Sequence, residues 1–460
     1  MPYTIKIRHP LIRSILDSLD WYKISMGEVV FHDFPNVQVT YKFINRGKTV
    51  FPEGFDMELQ NQIEMLADLS LTNAEFQWMN TVTNYMRPTY IEWFRGFRYD
   101  PKAVTICLEK GKLDITIGGP WYSRIFWETT LMALISELYF LLATNPIPGG
   151  PMSDIENAAD WEERIIRKAD LLEGNGCHWI DFGTRRRKSY ETQDAVVRNM
   201  RGRKGFLGTS NPHLAQKYGV PPHGTYAHEV ICAMMGIYGS RMANHIWMKH
   251  WAEHFDGNLG IALTDTFTTG VFLRDFTCGV AKMFDGVRHD SNDPYAWGER
   301  MLAHYRSLGI LTGNKRLVFS DALKVGPPDQ VMVDGAYNYI PLDRHFRDQA
   351  QPIGGIGTFF TNDVLTSEQK AAGIKPLNMV IKLDTVDFGR GPVNVIKLSD
   401  EEGKHCGDPQ TVENTKRELA SGNWEARYCL CSLDRGGAGC PSGQGSQPGV
   451  ADEGRGDRRH

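Results

Sequence analysis

The stretch CHWIDFGTRRR (residues 177–187) opens the half of the chain that decides its fold. A short apolar run ends there in small, polar and charged residues, and a helical pattern follows. The same order recurs downstream. The run-ends are Asp181-Phe182-Gly183-Thr184-Arg185-Arg186, Gly208-Thr209-Ser210-Asn211 and Gly224-Thr225-Tyr226-Ala227-His228-Glu229. They continue with Leu263-Thr264-Asp265-Thr266, Val287-Arg288-His289-Asp290-Ser291, Phe319-Ser320-Asp321 and Gly354-Gly355-Ile356-Gly357-Thr358. The clearest following helix is expected over Pro294–Ser307, with Asp293 as N-cap and Pro294 in the first turn. Repeated β-then-α units imply a parallel sheet. Chemistry at the C-terminal end of every strand points to a (β/α) barrel, whose active site lies on that face. The rival, an open doubly wound sheet, confines its ligand motif to one or two switch-point loops.

Upstream the chain reads as mixed α and β. Val39–Phe43 and Leu113–Ile117 alternate like strands, and Asp56–Leu69 and Tyr90–Arg95 are helical in pattern. The apolar stretch from Ile125 to Asn145 carries Glu128 and Glu137. Each carboxylate would cost a few kcal/mol at mid-bilayer, so the stretch is expected as a buried helix and no membrane span. The first residues, MPYTIKIRHPLIRS, lack the apolar core of a signal peptide. With 51 Lys and Arg against 55 Asp and Glu, the net charge is −4. Such a balance offers no global basic field for nucleic acid. Cys107, Cys177, Cys232, Cys278 and Cys406 stand singly, the pattern of a reducing cytoplasm. Cys429, Cys431 and Cys440 cluster loosely without a fourth zinc ligand.

The run-ends hold Arg185, Arg186, Arg187, Arg288, His228, His289, Asp265, Asp290, Asp293 and Asp321, with hydroxyls and glycine turns. Guanidinium forks, backbone N–H groups and hydroxyls are the groups that bind phosphate oxygens. Carboxylates beside them suit ribose hydroxyls or Mg²⁺, and Asp290 and Asp293 are the expected metal ligands. Asp293 also reads as a simple helix cap. The residues point to an enzyme handling a phosphorylated sugar or nucleotide. No Walker A sequence, G-x-S-x-G elbow or H-E-x-x-H helix is present.

From about Ile12 to Leu419 the chain resembles the nicotinate phosphoribosyltransferase family. The resemblance rests on Leu19-Asp20-Trp21-Tyr22-Lys23-Ile24-Ser25-Met26, on Ile135-Ser136-Glu137-Leu138-Tyr139-Phe140, and on the arginine motif at Phe182–Arg187. The motifs at Gly208–Asn211 and Gly224–Glu229 are similar to the family's next two signatures. It implies an irregular α/β barrel of the type II phosphoribosyltransferases, plus an α+β domain built from N- and C-terminal segments. The division is 1–145 for the first domain, 146–365 for the barrel with the active site, and 366–420 for the segment returning to the first domain. It implies transfer of phosphoribose from phosphoribosyl pyrophosphate to nicotinate, with Mg²⁺, coupled to ATP through a phosphohistidine at His228.

The resemblance also assigns roles. Tyr22 stacks on the pyridine ring in the other subunit of a homodimer, Thr225 lines the nicotinate pocket, and Arg288 faces its carboxylate. Asp290 and Asp321 bind ribose, Gly357 and Thr358 the 5′-phosphate. Arg185, Arg186, Ser210 and Asn211 are further substrate-binding residues. Alternatives are a sister enzyme taking nicotinamide, and a catalytically impaired nucleotide-binding relative. Four places depart from the family pattern: Asn292, Gly270, Ala322 and Phe359-Phe360. Asn tolerates a left-handed turn, Ala is strained in one, Gly270 removes an acid, and Phe359-Phe360 narrows the phosphate pocket.

The 46 glycines fall into two groups. One sits at the run-ends; the other is in Ser421 to His460, a low-complexity tail expected to be disordered.

Overall fold

The computed structural model describes residues 4–144, 158–363 and 373–421. The expected tail, apart from Ser421, lies outside the described residues, and so do its three cysteines. In chain order, the N-terminal segment supplies β1 (Gln38–Asn45), β2 (Val104–Glu109) and β3 (Lys112–Pro120). Next come β4 (Trp179–Asp181), β5 (Phe206–Thr209), β6 (Ile261–Leu263), β7 (Gly286–His289) and β8 (Arg316–Phe319). A small hairpin, β9 (Met332–Val333) and β10 (Ala336–Tyr337), precedes β11 (Gln351–Ile356). Last are β12 (Met379–Asp387) and β13 (Val393–Asn394).

β5-β4-β11-β8-β7-β6 form one sheet in that order, and every pair is parallel. The strands are three to six residues long and mostly buried, as strands covered by helices on one face and by a filled mouth on the other must be. Six of the seven expected run-ends are the C-terminal ends of these strands. The exception is Gly224–Glu229, which follows no strand. Pro221 and Pro222 precede it, and proline has no N–H to donate to a ladder. The chain there makes only an isolated bridge from Thr209 to Pro222 and runs into the helix His228–Tyr238. β5 and β6 are therefore the two edges of an irregular, incompletely hydrogen-bonded barrel wall.

The second sheet, β13-β12-β1-β3-β2, is antiparallel. β12 pairs with β1 from Gln38↔Asp387 to Asn45↔Met379, with a bulge at Thr40/Tyr41. A strand from the end of the described chain thus sits beside one from its beginning. The alternation at Val39–Phe43 is the buried face of β1. The expected helices appear as Phe55–Leu66, Pro88–Gly96 and Pro294–Ser307.

The apolar stretch forms the helix Trp127–Thr144. The stretch Trp121–Ala143 is long and apolar enough to cross a membrane, yet 83% of its apolar 18-residue window is buried inside the fold. Its polar residues hold the arginine loop. Ser136 Oγ donates to Arg187 O at 2.7 Å, and Glu137 Oε2 accepts from Tyr190 N at 3.1 Å. Tyr190 begins the helix Tyr190–Met200, which Ser189 and Thr192 close with a reciprocal capping box.

Candidate active site

A cavity of about 870 Å³ opens where the parallel strand ends meet β12 and the segment after it. Nine Lys and Arg residues line it against seven Asp and Glu, so it is locally cationic in a chain of net charge −4. An excess of one sign of charge in a cleft draws oppositely charged ligands.

His228 begins its helix and is 5% exposed. Its Nδ1 is 3.0 Å from Thr266 Oγ1, and its Nε2 is 2.8 Å from both Asp290 Oδ2 and Lys397 Nζ. Lys397 also stands 3.4 Å from Asp265 Oδ2. Burial and the Lys397 ammonium lower the ring's pKa to about 4, against the pull of Asp265 and Asp290. The ring is therefore neutral at neutral pH. Burial works against ionised Asp290, but His228, Lys397 and Arg288 outweigh it and hold its pKa well below the usual carboxylate range. The Asp290 carboxylate beside Nε2 favours the proton there, against the Lys397 ammonium at the same atom, and Nδ1 faces the Thr266 hydroxyl.

Other expected residues line the same cavity. Arg185, Arg186, Arg288, Asp321, Gly357, Thr358 and Tyr22 all do. Arg185 lies 3.4 Å from Asp20 Oδ2 and above the Tyr22 ring at 5.7 Å. Arg186 donates to Met379 O at 3.2 Å; burial, with Arg185 and Arg46 nearby, lowers its pKa to about 10. Arg288 donates to Tyr226 O at 3.1 Å, while its buried Nε meets no partner among the described residues. Asp321 pairs with Lys404 at 2.5 Å. Gly357 packs so closely that an added Cβ would stand 2.6 Å from Phe182 O, which leaves its backbone open to the cavity.

Several residues fall elsewhere than expected. Ser210 and Asn211 are buried and structural. Ser210 Oγ donates to Asp20 Oδ1 at 2.6 Å; Asn211 caps the helix Pro212–Tyr218 and donates to Asp17 O. Their side chains satisfy local backbone and carboxylate groups, and neither residue lines the cavity. The Thr225 hydroxyl donates to Ile261 O at 3.0 Å. Arg187 is buried in the fold, 2.9 Å from Asp17 Oδ1. Asp293 is an exposed N-cap whose Oδ1 accepts from Tyr295 N and Ala296 N. The donor set that converges is instead His228, Asp265 and Asp290, with ligand atoms within 4.8 Å of one another. Asp265 Oδ1 is buried and meets no partner among the described residues.

Tyr22 lines the cavity of its own chain. Trp21 N donates to Ser210 O, Ser25 Oγ donates to Thr225 O, and Gly224 packs on the Tyr22 backbone. These contacts hold the Tyr22 ring toward the cavity.

The departures resolve individually. Asn292 and Ala322 both adopt left-handed backbone, at φ +71° and +47°. Gly270 lies beside Arg300, and the carboxylate at that helix start comes from Asp400, which accepts from Thr269 N. Phe359 lies in the cavity wall beneath Lys168 Nζ at 3.6 Å, while Phe360 turns into the core.

Sequence reasoning missed Arg46, Lys382, Lys397, Lys404 and the floor of the cavity. There Lys23 is buried between Glu128 and Glu229, with Tyr41 and Trp121 donating to Glu229. One signal was available. The tetrapeptide Val-Ile-Lys-Leu occurs at Val380–Leu383 and again at Val395–Leu398, each time a lysine inside an apolar run. A lysine there must find a counter-charge or a ligand.

Residues 18–136 match the N-terminal domain model of the nicotinate phosphoribosyltransferase (NAPRTase) family, and residues 177–423 match the family's main model. A nicotinate phosphoribosyltransferase of Chromohalobacter salexigens is 40% identical over 413 residues, covering 89% of this chain and 99% of its own. One from Desulforapulum autotrophicum is 39% identical over 433 residues, 93% of this chain and all of its own length. Among solved structures, the nicotinate phosphoribosyltransferase of Porphyromonas gingivalis superposes with a TM-score of 0.80 at 35% identity, over 89% of this chain and 99% of its own.

Proposed function

The chain belongs to the nicotinate phosphoribosyltransferase family, and we propose from that premise that it makes nicotinate mononucleotide and pyrophosphate with ATP hydrolysis coupled through His228. The observation that carries the ATP step is the buried His228, held between Asp290, Lys397 and Thr266 at the wall of a cationic cavity.

In the transfer, the nicotinate nitrogen forms a bond to ribose C1 as the C1–O bond to pyrophosphate breaks. The electron pair leaves with pyrophosphate, and the ribose passes through an oxocarbenium-like state. The protein's task is positioning and charge neutralisation. Arg288, with a buried Nε to satisfy, suits the nicotinate carboxylate, and the Tyr22 ring suits stacking on the pyridine. Arg185 and Arg186, with Lys382 and Lys404, suit the phosphate oxygens.

In the coupling step, His228 Nδ1 attacks the γ-phosphorus of ATP and ADP leaves. Asp290 stabilises the charge that rises at Nε2–H, and Lys397 offsets the charge of the phosphoryl group. Water later breaks the N–P bond. When bound, Mg²⁺ supplies neutralisation of pyrophosphate charge. The donor set fits a divalent cation, but the Lys397 ammonium already balances Asp265. Asp290 is thus the carboxylate that would hold Mg²⁺. The free thiols of Cys107, Cys177, Cys232, Cys278 and Cys406 favour a cytoplasmic enzyme. The reading includes a homodimer, which light scattering of the purified chain tests directly.

The test is incorporation of label from γ-labelled ATP. The parent chain is expected to take up acid-labile label and to turn over nicotinate faster with ATP. His228→Ala is expected to take up none and to keep only slow, ATP-independent turnover. ATP stimulation unchanged in that variant would overturn the coupling. Faster turnover of nicotinamide than of nicotinate would overturn the substrate.

A further inference from the structure

Away from the cavity, the C-terminal end of the helix Trp21–Asp33 meets the helix Ala243–Phe255. His250 and His254, four residues apart, present their rings from one face of the second helix. Both converge on one carboxylate oxygen of the first: Asp33 Oδ2 is 2.6 Å from His250 Nδ1 and 2.9 Å from His254 Nε2. His32, the residue before Asp33, lies alongside, its ring centroid 6.0 Å from that of His254.

We propose that His250, His254 and Asp33 form a binding site for a divalent transition metal of the zinc class, with His32 as the nearest further ligand. Two imidazoles spaced i, i+4 and a carboxylate are a ligand set suited to Zn²⁺. The outer contacts of a metal-bound histidine are also in place. Such a ring usually donates its other N–H to a carboxylate. His254 Nδ1 is buried without a hydrogen-bond partner, and it stands 3.8 Å from Glu28 Oε1. Glu28 is itself fully buried, and its Oε2 also meets no partner among the described residues. A cation at Asp33 would give both orphaned atoms a reason to approach.

His250 and Asp33 are about a quarter exposed, so ions reach the site from solvent. The Arg87 guanidinium is the nearby opposing charge, and two carboxylates outweigh it. In a tetrahedral site with bonds of about 2 Å, ligand atoms sit roughly 3.3 Å apart. Each imidazole must then draw back from the carboxylate by about half an ångström, and the two rings must swing toward each other by side-chain rotation. The metal replaces the protons now shared there, so binding releases protons.

Bound metal would staple the far end of the helix whose first turn carries Tyr22. The site is separate from the cluster around His228. The test titrates the tag-free full chain with Zn²⁺ alone, in parallel with His250→Gln and Asp33→Asn. The parent is expected to bind one equivalent more than either variant and to release protons as it does. Its thermal midpoint should rise by a few degrees with Zn²⁺, a rise missing in both variants. Zinc binding elsewhere, at His228 or in the tail cysteines, is common to all three chains and cancels in the difference. His250→Gln replaces a partly exposed side chain, so it stays informative if Asp33→Asn folds poorly. Equal stoichiometry and an equal thermal shift in the parent and His250→Gln would overturn the proposal.

Discussion

Lys397 stands 2.8 Å from His228 Nε2, and that contact helps set the pH range in which the ring can act. An ordinary imidazole titrates near 6.5, while burial and Lys397 bring this one to about 4. Between those values the unfolded chain holds the extra proton and the folded chain does not. The stabilising contribution of neutral His228 is thus complete above about pH 6.5 and is lost as pH falls toward 4. Label uptake from ATP should accordingly stay flat through the neutral range. In Lys397→Met the acid limb of that pH profile should move upward, and an unmoved limb would remove Lys397 from this role. Ala322 is a second case. Its φ of +47° costs an L-residue about 1–2 kcal/mol, which glycine avoids at about 0.4–1 kcal/mol of chain entropy. Ala322→Gly should raise stability by about 0.5–1 kcal/mol in denaturant titrations.

Among the elements, the helix Trp127–Thr144 shows how one motif serves another. The sequence marks it as buried and apolar, and its two carboxylates then look like a contradiction. Glu128 is held by Lys23 in the cavity floor, and Glu137 stands 3.7 Å from Arg187. Burial raises the Glu137 pKa to about 8 despite Arg187, so the side chain carries its proton at neutral pH. Glu137→Gln should therefore change stability little near pH 7. Arg187→Met leaves Asp17 buried without its ion partner and should cost about 3–5 kcal/mol. Comparing the two variants' denaturation midpoints checks both expectations; equal losses would contradict the assignment. The strand ends were readable for a simple reason: glycine and polar residues after an apolar run are local punctuation. Gly224–Glu229 was misread as one more strand end. Its residues carry the punctuation, but Pro221-Pro222 denies the segment a ladder.

At the scale of the whole molecule, charge is distributed against its average. The chain carries −4, while the cavity holds more Lys and Arg than Asp and Glu. Capture of phosphoribosyl pyrophosphate should weaken as salt shortens the Debye length from about 10 Å at 0.1 M to about 3 Å at 1 M. kcat/KM for that substrate should fall over this range with kcat less affected; a flat response would mean the cavity charge does not steer. The sequence by itself determined the parallel β-then-α half and the buried helix, and it marked His228, Asp290, Arg185 and Arg288 as candidates that the fold brings to one cavity. Those signals are local: periodicity, punctuation and motif are complete within a few residues. Only the tertiary structure decided which polar side chains have spare valence. Ser210, Asn211, Thr225 and Asp293 each make hydrogen bonds to groups of the fold. Lys382, Lys397 and Lys404 reach the cavity because β12 crosses the length of the chain to pair with β1. Hydrogen-bond satisfaction and counter-charge depend on neighbours far apart in sequence, so no window along the chain contains them.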